Sequence, residues 1–143
     1  MTIFKLLASR ESDMIAIAMG ERGQPTRLLA PKFGSYLTFG ALDATRATAP
    51  GQPTLEQLQT LYRLQRQGPD TLVYGIVGNP VSHSRSPVLH NAAFAAAGVD
   101  AVYVPLLVDD MQRLLTEFDL WDFAGYSVTI PHKEAALQVE IVA

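Results

Sequence analysis

The chain of 143 residues contains no cysteine, which excludes disulfide bonds, a thiolate nucleophile and a zinc site built on cysteine. It also lacks any apolar run near the roughly 20 residues that a membrane-spanning helix requires. The formal net charge of −3 gives no reason to expect binding to nucleic acid or to a membrane surface. Because no small-residue cleavage pattern follows the short apolar stretch at the N-terminus, we predict a cytoplasmic protein.

The composition is that of a folded chain, and its charge changes sign part-way along. With 48% apolar and 17% charged residues, the sequence can bury a core. Residues 1–67 carry eight Lys and Arg against five Asp and Glu, a net of +3, whereas residues 68–143 carry three against nine, a net of −6. The change falls at residues 67–71, Gln-Gly-Pro-Asp-Thr, which have the composition of a linker or turn. We therefore expect two pieces.

The first piece alternates short apolar runs with helical patterns. Strands are predicted over 14–19 and 36–39, each closed by a glycine, and a short helix over 26–30 ends at a proline. A Pro-Gly loop follows over 47–52, and a capping box then opens a helix over 54–67. Its predicted inward positions are Leu55, Leu58, Leu61, Tyr62 and Leu64. Two strands cannot form a sheet covered on both faces, so the piece resembles the end of something larger.

The second piece has a regular alternation of strands and helices. Strands are predicted over 72–77, 101–107 and 125–130, and helices over 86–97, over 109–118 and from 131 onward. Ser86 is predicted as the N-cap of the first of these helices, with Pro87 at its first position and Gly98 beyond its end. This order predicts a parallel sheet with helices on both faces.

Two short segments of the second piece carry groups suited to binding and proton transfer. Ser84 and Ser86 lie at the start of one predicted helix, and Lys133 lies in the first turn of another. Both positions follow apolar strands, where α/β folds gather a ligand. The helix dipole at Lys133 favours the neutral amine, which suits a proton-transfer group near neutral pH. Taken without their neighbours, the serines also fit plain cap residues, and the lysine also fits a solvated surface residue.

The first piece resembles the C-terminal part of type I 3-dehydroquinate dehydratase, a TIM barrel. The matching segments are 19–23, 26–29, 33–35, 37–40 and 47–52. The resemblance implies that Arg27 binds the substrate carboxylate, and that Thr48, where the family usually has serine, and Gln52 belong to a loop closing over the substrate. The Schiff-base lysine of the family and its histidine partner lie upstream of this segment. Only about two of eight β/α units are present, so dehydration by this chain alone is not expected.

The second piece is similar to the N-terminal, substrate-binding domain of shikimate dehydrogenase. The matching segments are 74–80, 82–87, 90–91 and 127–134. The resemblance implies the NADPH-linked reduction of 3-dehydroshikimate to shikimate. It implies that Ser84 and Ser86 hydrogen-bond the substrate carboxylate, that Thr129 contacts a ring hydroxyl, and that Lys133 is the catalytic lysine. Ser127, where many members have asparagine, is typical of fused enzymes in which a dehydratase barrel precedes the dehydrogenase.

Together the two resemblances predict the fold class and the domains. The fold class is α/β, with the C-terminal β/α units of a TIM barrel over 1–67 and an incomplete parallel-sheet αβα substrate-binding domain over 72–143. NADP is the cofactor by resemblance, but no Gly-x-Gly-x-x-Gly occurs in the chain, so its binding domain is expected elsewhere, as is the aspartate that the family pairs with its lysine. We expect a central fragment of a bifunctional enzyme or a truncated product. Its expected partners are a small-molecule substrate and missing domains on a longer chain.

Three hypotheses remain open at this point. The chain is part of a shikimate-pathway enzyme, with weak substrate binding and negligible turnover when isolated; or it is a non-catalytic remnant that binds shikimate-like ligands or pairs with a separate NADP-binding chain. The third is a chain that never folds stably, because its barrel strands lack partners. Whether residues 1–67 pack on the second piece or stay partly disordered is also open. His83, His90 and His132 share no metal-ligand spacing, so packing or hydrogen-bonding roles and no metal are predicted.

Overall fold

Three parallel strands form the centre of the fold. The computed structural model describes residues 3–117 and 122–138. The strands are β1 (Leu72–Gly78), β2 (Ala101–Leu107) and β3 (Gly125–Val128), in the order β2-β1-β3. All of β1 pairs in register with β2, and its central part pairs with β3. The predicted α/β class with a parallel sheet is therefore confirmed.

Short helices surround this sheet. They are α1 (Ile3–Ala8), α2 (Gln24–Leu28), α3 (Ser86–Ala97), α4 (Met111–Glu117) and α5 (Lys133–Leu137). Single turns of 3₁₀ helix occupy Glu21–Gly23, Ala44–Arg46 and Leu64–Arg66, and Gln57–Leu61 forms a π-helical stretch. Among the residues described, no helix has the length and apolar content to cross a membrane.

Both faces of the sheet are covered, as a parallel sheet requires. On one face, Phe94 of α3 packs on Tyr74, near the buried side chains of Ile76 and Tyr103. The opposite face packs against side chains from both halves of the chain. Its buried members are Phe4, Leu28, Leu29, Leu58, Tyr62, Val73, Val77, Val102, Val104, Leu106, Met111, Leu114 and Phe123. The first half thus packs on the second and shares one core with it.

Hydrogen bonds reinforce the contact between the two halves. Within the first half, the Gln67 amide nitrogen donates to the carbonyls of Leu28 and Tyr62 at 2.9 and 3.0 Å, which ties the segment after the π-helical stretch to α2. Arg63 donates to the carbonyl of Ala101 at the start of β2, at 3.2 Å. The Arg63 bond holds the segment after the π-helical stretch against the amino end of the sheet.

Helix α3 is fastened to the outer edge of β2 by a buried amide. Asn91 donates to the carbonyl of Tyr103 and accepts from its N–H, both at 2.8 Å. The Asn91 side chain thus satisfies the N–H and carbonyl of Tyr103, which a neighbouring strand would otherwise satisfy. Gly98 ends α3 in the left-handed conformation at φ 67°, as predicted.

The predicted cap at the start of α3 is wrong by one residue. Arg85 occupies the N-cap position and makes no side-chain cap bond, and Ser86 is already helical. The hydroxyl oxygen of Ser84 accepts from the Ser86 N–H at 3.2 Å and takes over the capping role. Ser84 therefore satisfies the N–H of Ser86 itself, a donor at the open start of the helix.

The two strands predicted in the first half are not formed. Residues 14–19 and 36–39 are irregular, and a single bridge joins Ala41 to Thr54. One hydrogen bond connects the two segments, from Tyr36 N–H to the carbonyl of Met14 at 2.8 Å. Parallel strands need neighbours for their backbone groups, and no described residue supplies them here.

The long helix predicted over 54–67 is broken. Its capping box is present, since Thr54 N–H donates to Gln57 Oε1 at 2.9 Å and Gln57 N–H donates to Thr54 Oγ1 at 3.1 Å. The chain leaves the helix at Arg63, which has φ 46° in the left-handed region. Leu58 and Tyr62 are buried as predicted, whereas Leu55 is exposed. The break allows the next segment to turn toward β2.

Candidate functional site

The loops that follow β1, β2 and β3 meet at the carboxyl edge of the sheet. Thr129 N–H donates to the carbonyl of Val77 at 2.9 Å, and Asn79 N–H donates to the carbonyl of Ile130 at 3.0 Å. Val108 N–H, after β2, donates to the carbonyl of Gly78 at 3.1 Å. This edge is where parallel α/β sheets bind ligands.

A glycine permits the close approach of the first and third loops. A Cβ atom added at Gly78 would lie 2.5 Å from the Cγ2 methyl of Thr129, well inside van der Waals contact. Thr129 is half-buried beside it. Gly78 was not predicted as a site residue, because only the packed structure shows which side chain passes over it.

Ser84 lies in the loop after β1 and Ser86 is the first residue of α3, and both are half-buried. Ser84 N–H donates to the carbonyl of Val81 at 3.1 Å, and its Oγ accepts from Ser86 N–H. A hydroxyl that accepts through its oxygen keeps its proton for another acceptor. Both hydroxyl protons can therefore be donated to an incoming anionic group.

Lys133 is exposed at the first position of α5. Helix α5 spans five residues and aligns few peptide units behind Lys133. Within the described part of the chain, no hydrogen bond joins Lys133 to Ser84, Ser86 or Thr129. The backbone brings these loops to one edge, and the lysine side chain stays free in solvent.

Of the histidines, His90 and His132 have structural roles. His132 is buried, and its Nε2 donates to the carbonyl of Val108 at 2.7 Å. His90 stacks on Tyr103 with ring centroids 4.4 Å apart. His83 is exposed. Across residues 3–117 and 122–138, no group of three potential ligand side chains could hold a metal ion.

Of the three residues assigned to dehydratase-type binding, Thr48 and Gln52 contact each other, and Arg27 contacts Met19. Gln52 Oε1 accepts from the N–H and the hydroxyl of Thr48 at 2.8 and 3.1 Å. Arg27 is buried, donates to the sulfur of Met19 at 3.5 Å, and leaves its Nε without a partner. It forms no ion pair with any described carboxylate.

A charged network at the same edge was not predicted from the sequence. Arg22 Nε and Nη2 donate to the two carboxylate oxygens of Asp109 at 2.7 and 2.6 Å. Asn79 Nδ2 donates to Asp109 Oδ1 at 3.0 Å. The hydrogen bonds from Arg22, with a smaller effect from Asn79, hold the pKa of Asp109 below its ordinary value. A residue pair 87 positions apart leaves no local signal in a single sequence.

Comparison with known proteins assigns each half of the chain. Residues 1–69 match the family of type I 3-dehydroquinase, and residues 76–140 match the shikimate dehydrogenase substrate binding domain. Over 95% of its length, the chain is 53% identical to the bifunctional 3-dehydroquinate dehydratase/shikimate dehydrogenase, chloroplastic, of Arabidopsis thaliana. The chain belongs to this bifunctional family. It spans 23% of the length of the Arabidopsis protein.

Other known proteins match part or most of the chain. The shikimate dehydrogenase (NADP(+)) of Pyrococcus furiosus is 43% identical over 48% of this chain, which spans 26% of that protein. The solved dehydroquinate dehydratase and shikimate dehydrogenase of S. pombe AroM is 29% identical, with a TM-score of 0.44; the match covers 93% of this chain and 24% of that one. The family and the fused order predicted from the sequence are confirmed.

Proposed function

We propose that this chain supplies the substrate-binding site for the NADP-linked reduction of 3-dehydroshikimate to shikimate in a bifunctional shikimate-pathway enzyme. The observation that carries the proposal is the hydrogen-bonded union of the loops after β1 and β3. The first of these loops contains Ser84 and leads into Ser86 at the start of α3, and the other contains Thr129 and leads into Lys133. The name of the Pyrococcus relative supports the choice of NADP.

The paired serines would bind the substrate carboxylate. Ser84 is held by its backbone bond to Val81 and by the Ser86 N–H at its Oγ, and its O–H would donate to the substrate. Ser86 stands one residue before Pro87, at the start of α3, where backbone N–H groups also favour an anion. Two neutral hydroxyls can bind a carboxylate without a buried counter-charge.

Thr129 and Lys133 would act on the ring. Thr129 is fixed by its backbone bond to Val77, and its hydroxyl would contact a ring hydroxyl of the substrate. Lys133, four residues further on at the first position of α5, would donate a proton to the reacting oxygen during reduction and stabilise the charge that develops there. The four-carbon stem of the exposed lysine would let its ammonium group reach the substrate.

The described residues do not fit NADP itself. The turn from β1 to α3 runs Asn-Pro-Val-Ser-His-Ser-Arg over 79–85, with no glycine to let a pyrophosphate approach the backbone. No Gly-x-Gly-x-x-Gly occurs in the 143 residues. We therefore predict that the 143-residue chain binds substrate without measurable turnover. NADP-linked oxidation of shikimate by the purified chain would overturn this prediction.

Dehydration is not proposed for this chain alone. Thr48 and Gln52 satisfy each other, and Arg27 lies buried against Met19. The unpartnered Nε of Arg27 supports a retained capacity to bind a carboxylate there. The lysine and histidine that carry the Schiff-base chemistry in the type I family align with no residue of this chain.

Calorimetric titration of the chain with shikimate tests the proposal. We expect weak binding that falls at least about tenfold in the Ser84→Ala/Ser86→Ala variant, since each lost bond to a charged group is worth about 1.5–3 kcal/mol. Ser82→Ala is the matched control, because Ser82 is exposed in the same loop and has no proposed role. Equal affinities for both variants, or no binding by the unaltered chain, would contradict the proposal.

The compartment is a separate prediction. The composition predicts a cytoplasmic protein, whereas the Arabidopsis relative is chloroplastic by name. Fractionation of cells of the source organism, with the chain detected by an antibody, distinguishes the cytoplasm from the plastid. Recovery in plastids would correct the cytoplasmic prediction.

A further inference from the structure

A continuous set of polar contacts connects the first half of the chain to the proposed substrate loops. It begins at Arg22, immediately before α2, and reaches Asp109 in the loop after β2 through two charge-assisted bonds. Asp109 accepts from the side chain of Asn79, and the N–H of Asn79 donates to the carbonyl of Ile130. The two halves therefore meet at the loops that carry the proposed substrate residues.

Asn79 is the point where this network can affect a ligand. It is the first residue of the loop that leads to Ser84 and Ser86, and its backbone bond goes to the loop between Thr129 and Lys133. Its side chain is oriented by Asp109, which a two-pronged guanidinium contact holds in one direction. Loss of the Arg22 side chain would thus free the Asp109 carboxylate to move. The side-chain amide of Asn79 would then lose its fixed orientation, and the distance between the two loops would change.

The same pair contributes little to stability. The side chains of Arg22 and Asp109 are 61% and 58% exposed, and exposed ion pairs add little to the free energy of unfolding. The exposed pair Arg46–Asp43 provides a comparison, with one contact at 3.3 Å between residues three apart. Arg46 is engaged only within its own turn. Positioning and stability can therefore be separated by experiment.

We propose that Arg22, from the dehydratase-type half, is a positioning residue for the substrate site of the dehydrogenase-type half, acting through Asp109 and Asn79. The inference rests on the proposed substrate site. If the inference holds, fusion of the two halves affects substrate binding, because Arg22 of the first half sets the geometry of loops in the second half.

Shikimate affinity of the 143-residue chain provides the first test. Arg22→Ala is expected to weaken binding about three- to tenfold, the range for the loss of an indirect polar contact. Arg46→Ala, the matched control, should change affinity less than about twofold, in line with an exposed charge whose ion pair is with Asp43. Both variants should unfold at the same urea midpoint as the unaltered chain. Equal affinities for the two variants would overturn the inference.

Three further measurements separate positioning from a general loss of charge. Arg22→Lys, which keeps the charge but loses the fork, should recover only part of the affinity. Arg22→Ala combined with Asn79→Ala should cost no more than the larger single loss, because both act through Asp109. The side-chain amide resonances of Asn79 should move in Arg22→Ala and stay in place in Arg46→Ala. Additive losses, or an unmoved Asn79 amide, would contradict the inference.

The outcomes distinguish this inference from the proposed function. If Ser84→Ala/Ser86→Ala weakens binding and Arg22→Ala does not, the proposed site stands and the inference is overturned. If the unaltered chain does not bind shikimate, the proposed function fails and the inference fails with it. A loss in Arg22→Ala that is absent in Arg46→Ala supports both.

Discussion

The two halves of this chain have nearly equal length and similar apolar patterns, yet only the second forms a sheet. Residues 72–138 contain the three strands and the two longest α-helices of the described ranges. Residues 3–67 contain short helical turns, and many of their large apolar side chains are exposed. The exposed ones are Ile15, Met19, Tyr36, Leu37, Phe39, Leu42 and Leu55.

The difference shows that an apolar run forms a strand only when a neighbouring strand or side chain satisfies its backbone groups. β1 is paired on both edges, and the outer edge of β2 is served by Asn91. The apolar runs at 14–19 and 36–39 have one hydrogen bond between them. What the first half does contribute is apolar side chains such as Leu28 and Tyr62, which cover one face of the sheet. It is therefore part of the core without being part of the sheet.

The largest expected effect comes from breaking this shared core. Leu28→Ala removes a side chain of 0% exposure from the first half, and should lower the free energy of unfolding by about 2–5 kcal/mol. Hydrogen exchange at β1 should accelerate by a corresponding factor, since β1 contributes Val73 and Val77 to the same cluster.

Leu42→Ala is the control for this variant. Leu42 belongs to the same half and is 64% exposed, so its truncation should change stability by no more than about 0.5 kcal/mol. Urea unfolding followed by circular dichroism gives both values. If Leu28→Ala matches the control, or if β1 exchange is unchanged, the two halves do not share a core.

A smaller effect is expected within the second half at Asn91. Asn91→Ala leaves the N–H and carbonyl of Tyr103 without partners at a site where the side chain is 2% exposed. The loss of these bonds should lower the free energy of unfolding by about 2 kcal/mol. Gln112→Ala, on the exposed side of α4, should be close to neutral in the same urea titration. A neutral Asn91→Ala would show that the edge of β2 does not depend on α3.

The smallest effect concerns Tyr62 and appears only at alkaline pH. Burial raises the pKa of Tyr62 from its ordinary 10.0 to about 12, so the folded protein holds the phenol proton more tightly than the unfolded chain does. Its stabilising contribution is complete below pH 10 and is lost as the pH rises toward 12. At pH 11 the loss should be about 1 kcal/mol.

Tyr62→Phe should remove this part of the alkaline loss and leave stability near neutral pH little changed. Tyr36→Phe, on an exposed side chain of the same half, should keep the slope of the unaltered chain. Urea midpoints at pH 8 and pH 11 give the comparison. The same slope in Tyr62→Phe and the unaltered chain would show that Tyr62 is not buried against the sheet.

Hydrophobic runs, prolines and glycines correctly predicted the elements of the second half that pair or pack with one another. The bounds of β2 and α3, and the glycine that ends α3, agree with the prediction because hydrophobic runs, proline and glycine act locally. The strands at 14–19 and 36–39 could not be judged in this way, because pairing is a long-range property. For the site, the resemblance named Ser84 and Thr129, but the contact of Arg22 with Asp109 required the packed structure.

The most direct measurement is the shikimate-induced change in amide chemical shifts of the isotope-labelled chain. The proposed function predicts that the shifted amides cluster at Ser84, Ser86, Thr129 and Lys133, with a smaller change at Asn79. The loop containing Thr48 and Gln52 should not move, because those side chains satisfy each other. Shifts centred on that loop and Arg27, or no shifts at all, would contradict the assignment of the substrate site to the carboxyl edge of the sheet.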